Sequence, residues 1–234
     1  MSASAIHRYD HLGEFPRRVI DAANGSGPPI SRILEIGCGS GTGLVALATA
    51  FPEAAVIGVD MSPESVGAAR QRVAEAGLGE RVKPIAGDWL SLEARPEFDL
   101  IVAESVLHLL DCSDETMFGR LSSSLRPGGR VVATLPEASW RNRMLGRVRR
   151  VAAARRSDRT DWVFLHIAQL VHPRLDPLLL AQRLPYMYAV PSRVVSAGFW
   201  REAGRAELMR VNDERLRAAS IGQLRHRLVV LERG

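Results

Sequence analysis

Short apolar runs bounded by turn residues recur along the chain. The first is Ile33, Leu34 and Ile36, and others fall at 54–59, 82–86, 98–104 and 131–136. Runs of this length suit strands, and the unbroken apolar stretches in 100–103 and 131–133 suit strands covered on both faces. Between the runs the apolar positions change to helical spacing, at 44–50, 62–76 and 114–124. Before the first run, Leu12, Phe15, Val19, Ile20 and Ala23 predict one more helix. Strand and helix therefore alternate, the pattern of a parallel sheet wound on both sides. Ser62-Pro63-Glu64 marks a helix start, with serine capping and proline in the first turn, and Gly77 marks its stop.

The first run ends in Glu35-Ile36-Gly37-Cys38-Gly39-Ser40-Gly41-Thr42-Gly43. Glycine lets the backbone turn with positive φ and lets a ligand approach it closely. The helix that follows offers free N–H groups at its start. A dinucleotide fingerprint, G-x-G-x-x-G, needs a third glycine where Thr42 stands. The pattern here is E-x-G-x-G-x-G, with an acidic residue two positions before the first glycine. The second run ends at Asp60-Met61, about 20 residues on, where a carboxylate can accept two ribose hydroxyls. The third ends in Gly87-Asp88-Trp89, the fourth in Glu104, and Leu125-Arg126-Pro127-Gly128-Gly129 precedes the fifth.

These five segments, in this order, resemble those of class I S-adenosylmethionine (SAM) dependent methyltransferases of the small-molecule type. The resemblance covers 33–136, about half of the chain. It implies an α/β, Rossmann-like, doubly wound seven-stranded sheet with an antiparallel strand 7 and a helical lid inserted after strand 5. It implies SAM as cofactor and S-adenosylhomocysteine as product. It places Glu35, Gly37, Cys38, Gly39, Asp60, Met61, Gly87, Asp88, Trp89 and Glu104 around the cofactor, with Tyr9 covering it from the N-terminal helix. Asp88 would accept from the adenine amino group and Trp89 would pack on its ring. His108, in the short segment after strand 4, is placed where it could take a proton from the acceptor. The N/D-P-P-Y motif of enzymes that methylate nucleobase amino groups is absent from this position.

The family pattern lapses over 137–191. Residues 140–159 hold eight arginines interleaved with Met144, Leu145, Val148 and Val151, which predicts one amphipathic helix. A second apolar helix is expected at 161–171 and a third, capped by Asp176-Pro177, up to Leu184. In small-molecule members such an insertion forms the lid, and His166, His172, Tyr186 and Tyr188 are candidates to line the acceptor pocket. A homodimer through these helices is the rival reading. The resemblance then resumes, with a last helix ending in Ala197-Gly198-Phe199, strand 6 at 206–211 and strand 7 at 226–232. A single domain is expected, divided as 1–30 over the pocket, 31–136 cofactor core, 137–191 lid and 192–234 closing strands.

With 46% hydrophobic and 24% charged residues the chain reads as an ordinary globular protein. Two cysteines make neither a metal site nor a disulfide framework, and the polar start carries no signal region, so a cytoplasmic location with no membrane span and no membrane partner is expected. The net charge is +5, and Lys83 is the only lysine among 31 basic residues. The arginines read as a solvated face or as a dock for an acidic carrier protein or RNA. No nucleophilic side chain or metal is needed to move a methyl group from a sulfonium. The expected activity is methyl transfer to an O, N or C atom of a small molecule. RNA methylation, or other chemistry on the same fold such as a cyclisation, stands as the alternative.

Overall fold

The computed structural model describes residues 14–23, 29–171, 181, 184, 188–216 and 224–234. Helix α1 (Glu14–Ala23) precedes the sheet. Strand β1 (Arg32–Ile36) leads through the glycine loop into α2 (Thr42–Ala50). Then follow β2 (Ala55–Asp60), α3 (Pro63–Glu75), β3 (Val82–Ala86) and β4 (Phe98–Glu104). After α4 (Asp114–Ser124) and β5 (Leu125–Pro136) come the inserted helices α5 (Trp140–Ala154) and α6 (Asp158–Val171). Helix α7 (Ala197–Arg205), β6 (Leu208–Arg215) and β7 (His226–Arg233) close the fold.

The seven strands form one sheet in the order β3-β2-β1-β4-β5-β7-β6. Strands β1 to β5 pair in parallel, and β7 runs antiparallel to both β5 and β6. Strand order reverses between β1 and β4, so the crevice that receives ligands in open α/β sheets lies at their carboxyl ends.

Side-chain alternation along the central strands makes two cores. Ile101 and Ala103 of β4, with Val131, Ala133 and Leu135 of β5, face Met117, Phe118 and Leu121 of α4 and Phe199 of α7. Leu100 and Val102 face the opposite way, with Ile33, Val56 and Val132, onto Leu44 and Leu47 of α2 and Ala69 and Val73 of α3. Both faces are covered, which is why these strands read as continuous apolar runs. Ser62 caps α3 by accepting from the Ser65 N–H, with Pro63 in the first turn. At the other end of the sheet, Asp99 accepts from the Ser31 hydroxyl and N–H and the Arg32 N–H, and pairs with Arg126 at 3.0 Å. Burial alone would push this carboxyl up, but those bonds outweigh it and hold it below its ordinary value.

Several expected elements take different bounds. The Leu125-Arg126-Pro127-Gly128-Gly129 segment is the irregular start of β5 itself, with a register shift opposite Phe98–Leu100. A β-carbon on Gly129 would lie 2.9 Å from the Arg126 carbonyl oxygen, so the chain needs glycine there. Residues 140–159 are not one helix. The chain leaves α5 at Arg155 and re-enters at Asp158. Ala197-Gly198-Phe199 begins α7 instead of ending a helix, because Ser196 caps it by accepting from the Phe199 N–H. Strand β6 begins at Leu208 and extends to Arg215. The third lid helix expected near 176–184 lies largely outside the described residues.

The insertion after β5 leaves and rejoins the sheet at one place. The Val195 N–H donates to the Pro136 carbonyl at 2.8 Å, the Ala138 N–H donates to Val195 at 3.3 Å, and Glu137 and Val195 form a parallel bridge. Asn142, buried in the first turn of α5, donates to the Glu137 and Arg225 carbonyls and accepts from the Arg225 N–H.

Candidate cofactor and acceptor site

Gly37, Gly39 and Gly41 all adopt positive φ, at 73°, 50° and 80°. This is the left-handed region that side chains avoid, and it folds the loop back on the end of β2, where the Gly37 and Cys38 N–H groups donate to the Val59 carbonyl. Space imposes a second demand. A β-carbon on Gly37 would stand 2.9 Å from a Val106 methyl, and one on Gly43 would stand 1.9 Å from a Glu35 carboxylate oxygen. Glu35 therefore occupies the room that Gly43 leaves in the first turn of α2, where the helix dipole favours negative charge. The resulting cleft is lined by Glu35, Gly37, Cys38, Gly39, Ser40, Thr42 and Glu104. Burial, with the Glu35 and Asp60 carboxylates nearby, pushes the Cys38 thiol far up, so it stays protonated and unreactive.

Asp60 is fixed by both oxygens. One accepts from the Gly39 N–H at 2.9 Å, the other from the Ser62 N–H at 2.9 Å. A carboxylate has about four lone-pair sites, so two remain for hydroxyl donors. Carboxylate and glycine loop are thus set in one arrangement before any ligand arrives. These residues fit SAM: a glycine cradle without room for side chains, a fixed acid at the end of β2, and two further acids, Glu35 and Glu104, on the cleft wall. We expect Asp60→Ala to weaken SAM and S-adenosylhomocysteine binding by about 1–3 kcal/mol through a lost charged hydrogen bond. Calorimetric titration of the folded variant checks this, and unchanged affinity would remove Asp60 from the site.

The remaining expected residues divide. Met61 stands 72% exposed next to Asp60, open to a ligand. Gly87 ends the β3 turn, its N–H donating to the Asp60 carbonyl at 2.9 Å. Asp88 caps the short turn Trp89–Ser91 by accepting from the Leu90 N–H at 2.9 Å. Trp89 does not offer a free ring: it is buried in the core, with the Arg120 guanidinium 5.5 Å from its ring centre. Tyr9 and Tyr186, like His172, lie outside the described residues. His166 is on the exposed side of α6, its Nδ1–H donating to the Trp162 carbonyl and its ring stacked 3.8 Å from that indole. Tyr188 is buried and donates to Asp161 at 2.6 Å, with its ring against Phe164, so it pins the lid to itself.

His108 follows β4 in the short turn Leu107–Leu109. Its ring is buried 5.7 Å from the buried His226 ring, and its Nδ1 has no hydrogen-bond partner. Burial, then His226, Arg193 and Arg149 in turn, lower its pKa to about 3. It is a neutral imidazole at physiological pH and not the poised base that its position in the sequence led us to expect.

Sequence reasoning missed the residues that hold this segment. Arg193 donates to Asp114 at 2.8 Å and to the carbonyls of Leu107, Leu110 and Cys112. Both the hydroxyl and the N–H of Ser192 donate to the His108 carbonyl. Ser105, at φ 53°, donates through its N–H to the Thr134 hydroxyl at 2.8 Å. Ser40 and Thr42 also line the cleft, and their place inside the glycine loop was signal enough to include them. Arg193 and Ser192 carry no such signal, because they reach the turn from more than 80 residues away.

Comparison with known proteins agrees with this geometry. Residues 33–129 match the family described as "Methyltransferase domain". A trans-aconitate 2-methyltransferase of Methylobacterium nodulans is 33% identical over 107 residues, 46% of this chain and 39% of that protein. A malonyl-[acyl-carrier protein] O-methyltransferase of Priestia megaterium is 35% identical over 97 residues, 42% of this chain and 34% of that protein. The matched region thus spans well under half of these relatives' length. In fold, the chain is similar to the N-methyltransferase NodS of Bradyrhizobium japonicum, with a TM-score of 0.60, 18% identity and 94% of each chain covered. A second structure of NodS, with a TM-score of 0.59 and 19% identity over 94% of this chain and 86% of that one, contains S-adenosylhomocysteine. Residues 33–129 thus form a methyltransferase domain, and the glycine loop, strand-end acids and sheet order are those of a fold that binds SAM.

Proposed function

We propose that this chain transfers a methyl group from SAM to a carboxylate oxygen of a small acid. Bound SAM supplies an electrophilic methyl group. The chain's own part is to bind, align and desolvate, and alignment alone can supply roughly 7–11 kcal/mol of a barrier. Gly39, Asp60, Glu35 and Glu104 are the residues suited to hold the cofactor, and α5 and α6 are suited to exclude water over the acceptor.

The observation that carries the choice of acceptor is the neutral, buried His108. An ammonium or an alcohol must lose a proton to become a good nucleophile, and an imidazole with a pKa near 3 accepts one poorly at pH 7. A carboxylic acid has already lost its proton there. The charge around the turn points the same way. The half-buried Arg149 of α5 lies close enough to depress both His108 and His226, and its guanidinium is suited to attract an anionic acceptor. Relatives named for trans-aconitate and for a malonyl carrier protein support a carboxyl-bearing acceptor.

Incubation with methyl-labelled SAM and a panel of small acids, each beside its primary amide, tests the reading. Labelled product is expected from acids and not from amides, and mild base is expected to release the label as methanol. Label that survives base would mean N-, C- or ether O-methylation and would overturn the carboxylate assignment while leaving the methyltransferase intact.

A further inference from the structure

Helices α5 and α6 each expose apolar side chains beside the solvated arginines that were expected there. Helix α5 buries Asn142 and Gly146. On its opposite side Trp140, Met144, Val148 and Val151 stand 69%, 49%, 54% and 52% exposed. Their spacing of four, four and three residues puts them in one stripe. Helix α6 buries Ala168 and turns Trp162, Val163, Ile167 and Leu170 outward, the last 82% exposed. Among the described residues, eight of the thirteen exposed large apolar side chains lie on these two helices. A concentration of this kind marks an interaction surface.

Charge selects the partner. Arg143, Arg147 and Arg150 are exposed along one edge of the α5 stripe, and none has an acidic partner among the described residues. An apolar stripe edged by arginines, with a tryptophan at its start, is the composition of a helix lying in a membrane interface.

We propose that α5 and α6 seat the protein on the surface of an anionic phospholipid bilayer. The two apolar stripes enter the boundary between headgroups and acyl chains, and Arg143, Arg147 and Arg150 meet the headgroup phosphates. No helix among the described residues is long and apolar enough to cross the bilayer.

Sedimentation of the full chain with vesicles tests this, using phosphatidylcholine alone and phosphatidylcholine with about one third phosphatidylglycerol, at about 0.1 M salt. The protein is expected to pellet with the anionic vesicles only. Its tryptophan emission should shift to the blue as Trp140 and Trp162 leave water. The triple variant Arg143→Gln, Arg147→Gln, Arg150→Gln is expected to partition on the order of 100-fold more weakly, about a factor of five per arginine. Its S-adenosylhomocysteine affinity should be unchanged, which shows that it is folded. Recovery of the wild type in the supernatant overturns the proposal, and so does equal pelleting with neutral vesicles or undiminished partition of the triple variant. A concentration-dependent dimer that Val148→Asp dissociates, without vesicle binding, would assign the face to a second copy. Capture of an acidic protein in place of vesicles would assign it to that protein.

Discussion

Replacing Arg193 by alanine is expected to destabilise the protein by about 3–5 kcal/mol, the cost of removing one partner from a buried charged network. The Arg193 side chain is 3% exposed and pairs with Asp114. Asp114 is 36% exposed and can return to water, so the ion pair itself is the smaller part of the loss. The larger part comes from the Leu107, Leu110 and Cys112 carbonyls, which lose a charged donor inside the turn that follows β4. Arg193→Lys should recover only part of the stability, since a point-like ammonium cannot reach three carbonyls and a carboxylate together. Urea unfolding followed by circular dichroism measures both variants. A loss below about 1 kcal/mol for the alanine variant would show that the turn holds itself without Arg193.

The second large effect is expected from acid. Burial above all lowers both imidazoles, His108 to about 3 and His226 to about 4, from an ordinary value near 6.5. The Nδ1–H of His226 also donates to the Leu224 carbonyl at 3.0 Å, which favours the charged ring but does not offset burial. In the unfolded chain both rings take a proton as pH falls through about 6.5. In the folded chain they do not until pH 4 or below. The unfolded state therefore binds more protons across that window, so stability is complete above about pH 6.5 and falls as pH drops toward 4. The two rings together should cost about 3–5 kcal/mol by pH 4.5, on the order of 1.4 kcal/mol per pH unit each. Unfolding free energies measured at half-unit steps from pH 7.5 to 4.5 test this. A flat profile would show that the pair is hydrated or already shares a proton in the native state.

Much of this fold could be read locally, because each strand and helix carries its own signal. The apolar run at 98–104 became β4 since both of its faces meet helices, and Ser62-Pro63 started α3 because cap and proline act within one turn. The glycine loop was legible for the same reason: its positive φ angles are properties of single residues. Reasoning failed where a role depends on what lies across space. His108 looked like a base in its sequence position, and burial in the folded chain, with His226, Arg193 and Arg149 adding to it, makes it a neutral ring. Trp89 looked like an adenine platform, but α4 supplies an arginine that covers it. The lid was misread through periodicity. Arginines and apolar residues at helical spacing predict an amphipathic helix, but they do not say which side meets the core. In α5 the small residues Asn142 and Gly146 take that side.

The bridge between Glu137 and Val195 has a consequence for how such a chain diversifies. Because residues 138–194 begin and end at one point on the sheet edge, their length adds little to the entropy of closing the loop, about 0.6 kcal/mol per doubling. The segment is free to be lengthened, exchanged or redecorated by genetic insertion while the glycine cradle at the opposite side of β4 keeps its shape. A lineage can therefore rework this segment without relearning how to hold its cofactor.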